Sequence, residues 1–380
     1  MDLELTDEQR ELRDSARAAL ARECPASFVR AVARGRAEAT ELHSALAWLG
    51  WPALTVDVDL GGLGRGFVDL AVVVEELGRA AAPGSFLPTT TQFAPVVREV
   101  GTPAQAHRFL AGVAAGELTG SLALHEGGRW GPETITATAE RDGDGWLLRG
   151  HKQHVLGAPE VDEVVVAAQR DDGTLGLFVV PAAELSFKRT TSLDPTRTAA
   201  NLELNGVWVP DARLLGEPGT DARRPLDRAL AEATVGLALD ALGACGALFD
   251  SSLGIVRDGP VAAQATEHAL ADMLVEIELG RAATYQAVAA VAEAAPEAGR
   301  LASVAKAQVG ATVRRITGLS VEIRGAGAGP EHDDHHLWIG RAKADDLLFG
   351  SAADHRRIVA DHLLSHRRAR THLLASALLG

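Results

Sequence analysis

Between Leu226 and Ala295 the chain carries two long apolar helical patterns joined by a short connection, and this stretch restricts every fold the rest can adopt. Leu230, Leu237, Ala241, Leu242, Cys245, Leu248 and Phe249 recur at three- and four-residue steps, as do Leu270, Leu274, Ile277, Val288 and Val291. Apolar residues fall on more than one face of each pattern, so each helix needs neighbours on several sides. An inner helix of a bundle, or one at a subunit interface, meets that need. Glu232, Asp240, Asp272 and Glu276 sit within the same patterns and argue against a membrane span. The connection is expected at Gly254–Val261, with Arg257 its one cation.

Charge and cysteine usage exclude several classes. A net charge of −14 disfavours nucleic acid and anionic membrane surfaces as partners. The two cysteines, Cys24 and Cys245, both fall on helical patterns and are expected as reduced core thiols. The N-terminus shows no apolar signal core, so a cytoplasmic protein is expected.

Thr6 followed by Gln9 marks a helix start, and Leu12, Ala16 and Leu20 continue it. Further helical patterns cover Glu41–Leu49, Val68–Arg79 and Ala104–Ala115. From about Leu118 the period changes to two, in short runs at Ile135–Ala139, Trp146–Arg149, Glu163–Ala168, Leu175–Val180 and Leu202–Val209. Turn residues at Arg141–Gly145 and Asp171–Gly173 separate them. The expected fold is therefore α+β and multidomain: a helical domain over residues 1–117, a small antiparallel barrel or sandwich over 118–218, and a helical domain over 219–380.

This order, with its local strings, resembles the acyl-CoA dehydrogenase family over essentially the whole chain. The strings are Leu5-Thr6-Asp7-Glu8-Gln9, Glu75-Glu76-Leu77-Gly78-Arg79, Trp146–Lys152, Asp194-Pro195-Thr196-Arg197, Gln264, His268–Met273, Arg341-Ala342-Lys343 and Leu348-Phe349-Gly350. The resemblance implies removal of two hydrogens from the α and β carbons of an acyl-CoA thioester. A carboxylate takes the α proton and the β hydrogen leaves as hydride to FAD. It also implies that the middle domain is an antiparallel β-barrel, that the last is a four-helix bundle, and that the protein assembles as a dimer of dimers.

Carried over residue by residue, that chemistry is depleted here. The two places where the family keeps its carboxylate base fall at Ala233 and Phe349. An alternative alignment of the first long helix leaves Asp227 as a weak candidate base; Glu232 adjoins Ala233 but points about 100° away on a helix. The arginine motif that pairs with the FAD pyrophosphate between the long helices is missing. The Gln and paired glycines that meet a neighbouring subunit's FAD become Glu322-Ile323-Arg324-Gly325-Ala326-Gly327, so Glu322, Arg324, Gly325 and Gly327 are the cofactor-contact candidates. The flavin-ring contacts correspond to Leu124-His125-Glu126-Gly127 and His154-Val155-Leu156. His332-Asp333-Asp334-His335-His336 has metal-like spacing, but the resemblance makes it structural, and no metal is expected.

Four readings follow. The leading one is the non-catalytic half of an α2β2 acyl-CoA dehydrogenase, with FAD held mainly by a homologous partner subunit and a steroid side-chain CoA ester a candidate substrate. The others are a homo-oligomeric dehydrogenase using Asp227, a flavin-free lyase or dehydratase using His125, Glu126 or His154, and a purely structural partner.

Overall fold

The Thr6 hydroxyl accepts from the Gln9 N–H at 3.2 Å while the Gln9 side chain accepts from the Thr6 N–H at 3.0 Å, so α1 (Asp7–Glu23) starts at the reciprocal cap the sequence predicts. The computed structural model describes residues 5–128, 130–217, 219–258, 264–325 and 334–364. Six more helices precede the sheet: α2 (Ala26–Ala33), α3 (Thr40–Trp48), α4 (Phe67–Arg79), α5 (Phe86–Pro88), α6 (Ala94–Val100) and α7 (Pro103–Ala115). A π-helical turn at Thr89–Phe93 joins α5 to α6. Cys24 and Cys245 are both buried free thiols, and burial pushes each up to about 12.

The β layer is one seven-stranded sheet: β1 (Gly120–Ala123), β2 (Thr138–Asp142), β3 (Gly145–Leu156), β4 (Glu163–Arg170), β5 (Leu175–Pro181), β6 (Ser186–Arg189) and β7 (Ala199–Pro210). The hairpin pairings β2–β3, β4–β5 and β6–β7, together with β3–β7, are antiparallel. β4 differs from the expected barrel pattern, because β1 and β2 both lie parallel along it, β1 at Glu163–Val166 and β2 at Gln169–Arg170. Two strands meet end to end on one edge of β4, which the alternation of side chains does not reveal. The predicted strand at Ile135–Ala139 also moves, to Thr138–Asp142. The Glu126 carboxylate accepts from the backbone N–H of Thr136 and Ala137 and so occupies donors that a ladder would use.

α8 (Arg223–Asp258) is the inner helix its pattern demands. It packs against α4 and α6 on one side and against α9 (Gln264–Ala292), α10 (Ala298–Arg324) and α11 (His335–Leu347) on the other. Leu226, Val235, Leu237, Leu242, Cys245 and Leu248 are completely enclosed. The helix is long and apolar enough to cross a membrane, but 94% of its most apolar stretch is buried inside the protein. A last helix, α12, covers 352–364. In α9 the stripe divides: Leu270, Met273, Ile277 and Val288 are buried, whereas Leu274, Val275 and Leu279 are exposed.

The expected connection at Gly254–Val261 begins later than predicted, because α8 continues through Gly254 to Asp258; residues 259–263 lie outside the described residues. Gly254 is thus a helical glycine with nothing within 4 Å of an added Cβ. Gly254→Ala should stabilise the protein by about 0.5–1 kcal/mol, read as a higher urea midpoint at unchanged slope.

Candidate functional site

The Asp194-Pro195-Thr196-Arg197 string folds on itself. Asp194 Oδ1 accepts from the Thr196 N–H at 2.9 Å and Oδ2 from Arg197 Nε at 3.2 Å. That turn presents Arg197 to α8 and α11, where its Nη2 donates to Asp240 at 2.9 Å and Asp345 at 2.7 Å. Arg341 closes the network by donating to Asp194 at 2.6 Å and to the carbonyls of Ala81 and Ala82. All five side chains are buried. Burial opposes ionisation, yet Arg341 and Arg197 hold Asp194 down at about 2 and hold Asp240 below its ordinary value. Burial and the adjoining Asp240 hold Asp345 well above the carboxylate range despite Arg197. Two guanidinium charges therefore face three carboxyl groups, of which Asp345 gives up its proton least readily.

Beside it lies a cavity of about 410 Å³ between β1, β3, the 190–199 segment and the α11–α12 junction. Its floor is apolar (Leu122, Leu124, Leu156, Leu193), and one wall is a row of rings. Trp130 and Phe349 have centroids 4.9 Å apart, His125 stands 6.3 Å from Trp130, and His154 stacks on His125 at 6.1 Å. Partial burial, then His154, lowers the His125 pKa, which favours the neutral ring.

Two anchors fix that wall. Glu126 holds the loop carrying His125 and Trp130 through Thr136, Ala137 and the ammonium of Lys152 at 2.5 Å. Burial works against the Glu126 charge, but Lys152 and these hydrogen bonds keep its carboxyl below the usual range. Lys152, completely buried, is pulled by desolvation to about 8 in spite of Glu126. The second anchor is His355, whose Nε2 donates to the Phe349 carbonyl at 2.9 Å, leaving Nδ1 to accept from the Ser303 hydroxyl at 3.2 Å. Burial lowers His355 to about 4, so it is neutral. Phe349 needs the support, because its φ of 55° is left-handed. The following Gly350 has φ 92°, and a Cβ there would lie 2.8 Å from the Trp130 ring.

Of the positions the sequence singled out, the structure brings Leu124, His125, His154, Leu156 and Phe349 together around this cavity. Ala233 is completely buried inside α8 and does not line it. Asp227 stands exposed on the first turns of α8, also off the lining; partial screening from solvent and Glu133 hold its carboxyl above the ordinary value. Glu322 is exposed at the end of α10, with Arg324 and Gly325 beside it and away from the cavity. Gly327, His332 and Asp333 lie outside the described residues. Asp334 is taken by Arg30 Nη1 at 2.5 and 2.6 Å. Sequence reasoning missed Trp130, Ser351, Asp354 and His355. A lone tryptophan between Gly128 and Gly131 was the available signal, since glycine-flanked aromatics suit a loop that lays a ring against a pocket.

The described residues fit only part of an FAD. Flat rings line the wall, and Arg197 Nη1, buried and without a partner, can donate to one neutral acceptor. For a pyrophosphate the lining of this cavity offers no unspent charge. Arg197 is the one arginine lining the cavity among the described residues, its charge is met by the network carboxylates, and Asp354 adds another negative charge.

The fold agrees with known proteins. Residues 6–117 match the N-terminal domain of acyl-CoA dehydrogenases, and residues 225–364 match the C-terminal domain. The bovine mitochondrial short-chain specific acyl-CoA dehydrogenase is 26% identical over 339 residues, covering 84% of this chain and 82% of that protein. The Tcur3481–Tcur3483 steroid ACAD superposes with a TM-score of 0.85 at 29% identity, over 95% of this chain and 99% of that one. The ChsE4–ChsE5 complex from Mycobacterium tuberculosis does so at 0.86 and 23% identity, over 96% and 99%. The chain belongs to the acyl-CoA dehydrogenase family.

Proposed function

We propose that this chain is the non-catalytic half of a heteromeric acyl-CoA dehydrogenase, in which a homologous partner subunit supplies the carboxylate base and holds most of the FAD. The observation that carries this is Phe349: the position aligned with the family's base is an apolar ring packed on Trp130 beside the cavity, so no proton acceptor stands there. Three further features support it. The other base position, Ala233, is sealed in α8. The cavity lacks uncommitted cations among the described residues. Leu274, Val275 and Leu279 on α9 leave an apolar surface for another subunit to cover. Similar solved proteins include the Tcur3481–Tcur3483 and ChsE4–ChsE5 pairs, and the first is a steroid enzyme, which favours a bulky acyl-CoA as substrate here.

The test is made on the complex co-purified with its partner. A positioned general base contributes about 10²- to 10⁴-fold. Removing the partner's base should therefore abolish turnover, whereas Asp227→Asn in this chain should leave it within about threefold of wild type. This chain purified alone should carry far less than one FAD per polypeptide. A hundredfold loss with Asp227→Asn in an intact complex would make this the catalytic chain.

A further inference from the structure

Where α1 crosses α4, α8 and α9, a second cleft of about 480 Å³ opens at the surface. Five guanidinium groups line it: Arg10, Arg13 and Arg17 from α1, Arg79 from α4 and Arg281 from α9. Only three carboxylates line it, Glu75, Glu76 and Glu278, and they are spent on two of the five. Glu76 takes Arg17 in two bonds, at 2.7 and 2.9 Å. Glu75 takes Arg281 at 2.9 and 3.2 Å as well as the Tyr285 hydroxyl, and Glu278 takes Arg281 from the other side.

The remaining three look outward for their partners. Arg10 meets Asp7 at 3.6 Å, where the carboxylate is 98% exposed, and Arg13 meets its sequence neighbour Asp14 at 3.2 Å. Arg79 meets Asp250, also half exposed. Pairs exposed in this way are weak and exchange readily for another anion. Gly246 lets Arg79 lie against the α8 backbone on the floor of the cleft, since a Cβ there would stand 2.9 Å from its Nη1. Arg10, Arg13 and Arg17 recur at three- and four-residue steps, so one face of α1 aims all three forks at the opening.

We propose that this cleft binds a phosphate dianion, either free or as the terminal group of a small phosphate monoester. Five guanidinium groups face three carboxylates in the lining itself, so a dianion that takes the place of the solvent-exposed Asp7, Asp14 and Asp250 leaves the cleft balanced, and guanidinium forks match phosphate oxygens two at a time.

The test is calorimetric titration of the full chain with inorganic phosphate, with AMP and with adenosine, at ionic strength held constant by sodium chloride. Saturable one-site binding of phosphate, and none of adenosine, is expected. AMP binding more tightly than phosphate identifies a nucleotide as the source, and equal affinity identifies the free ion. Arg10→Ser combined with Arg13→Ser should weaken phosphate at least about tenfold, about 1.4 kcal/mol, since it removes two charge-assisted donors. Both side chains lie at the rim, 43% and 39% exposed, so the urea midpoint of the double variant should match wild type. Heats no larger than those of chloride, or undiminished binding by the folded double variant, would overturn the proposal.

Discussion

Arg341→Ala should cost more than about 4 kcal/mol of stability and leave most of the protein insoluble. Arg341 is 1% exposed and donates to Asp194, Thr196, Asp240 and the carbonyls of Ala81 and Ala82. It thereby ties α4's exit, the β layer and the C-terminal helices to one point. Truncation leaves Asp194 and Asp240 with Arg197 alone, two buried carboxylates for one guanidinium. Removing one partner of a buried pair typically costs 3–5 kcal/mol, and the orphaned carbonyls add about 1–3 each. Against a total stability of about 5–15 kcal/mol, that loss is most of the margin. Arg341→Lys keeps the charge but lacks the fork, so it should recover only part. A urea midpoint for Arg341→Ala within 1 kcal/mol of wild type would show that the network is not what joins these layers.

The same network sets the acid limb of stability. Asp194 titrates at about 2 in the fold against an ordinary 3.8, so the unfolded chain binds the proton first. Its contribution is complete above about pH 4 and drains as pH falls through 2. Asp345 has the opposite sign. Held protonated by burial, it favours the fold at low pH and withdraws that support as pH rises above 3.8. In Arg341→Ala the Asp194 pKa should rise and the acid limb should flatten.

How much of this was legible follows from what each signal measures. The many-sided burial of α8 was readable because hydrophobic period reports directly on neighbours, and the apolar side chains between Leu226 and Leu248 are buried as required. The parallel seating of β1 and β2 along β4 was not, since alternation tells which face is buried and nothing of which strand lies alongside. At the site, His125, His154 and Phe349 were marked by family resemblance alone; no local pattern links residues two hundred positions apart. Asp227 drew notice through sequence position, but the first turns of α8 put it in solvent. Glu126 shows the deeper difficulty. Its acidity reads as acid–base potential, whereas three donors from Thr136 and Ala137, together with Lys152, make it a fixed anchor with a lowered pKa.

Gly243→Ala should destabilise by more than about 3 kcal/mol, although it adds one methyl to a helix and improves helix propensity. A Cβ at Gly243 would lie 1.9 Å from the Glu75 carbonyl oxygen and 2.6 Å from the Arg79 nitrogen, both backbone atoms that no rotamer change can move. Gly78 mirrors it from α4, where a Cβ would lie 2.0 Å from the Asp240 carbonyl oxygen. The two glycines let α4 and α8 cross backbone to backbone, and Asp240, which receives Arg197 and Arg341, stands at that crossing. Overpacking commonly costs 1–3 kcal/mol when side chains can adjust, and this contact allows no such adjustment. Once either alanine has forced the helices apart, the second has less to displace. Gly78→Ala with Gly243→Ala should therefore cost clearly less than the sum of the single losses. Gly254→Ala on the same helix should stabilise, so propensity and packing separate within α8 by the sign of the effect. A near-neutral Gly243→Ala, or strict additivity with Gly78→Ala, would show that the two helices do not depend on this crossing.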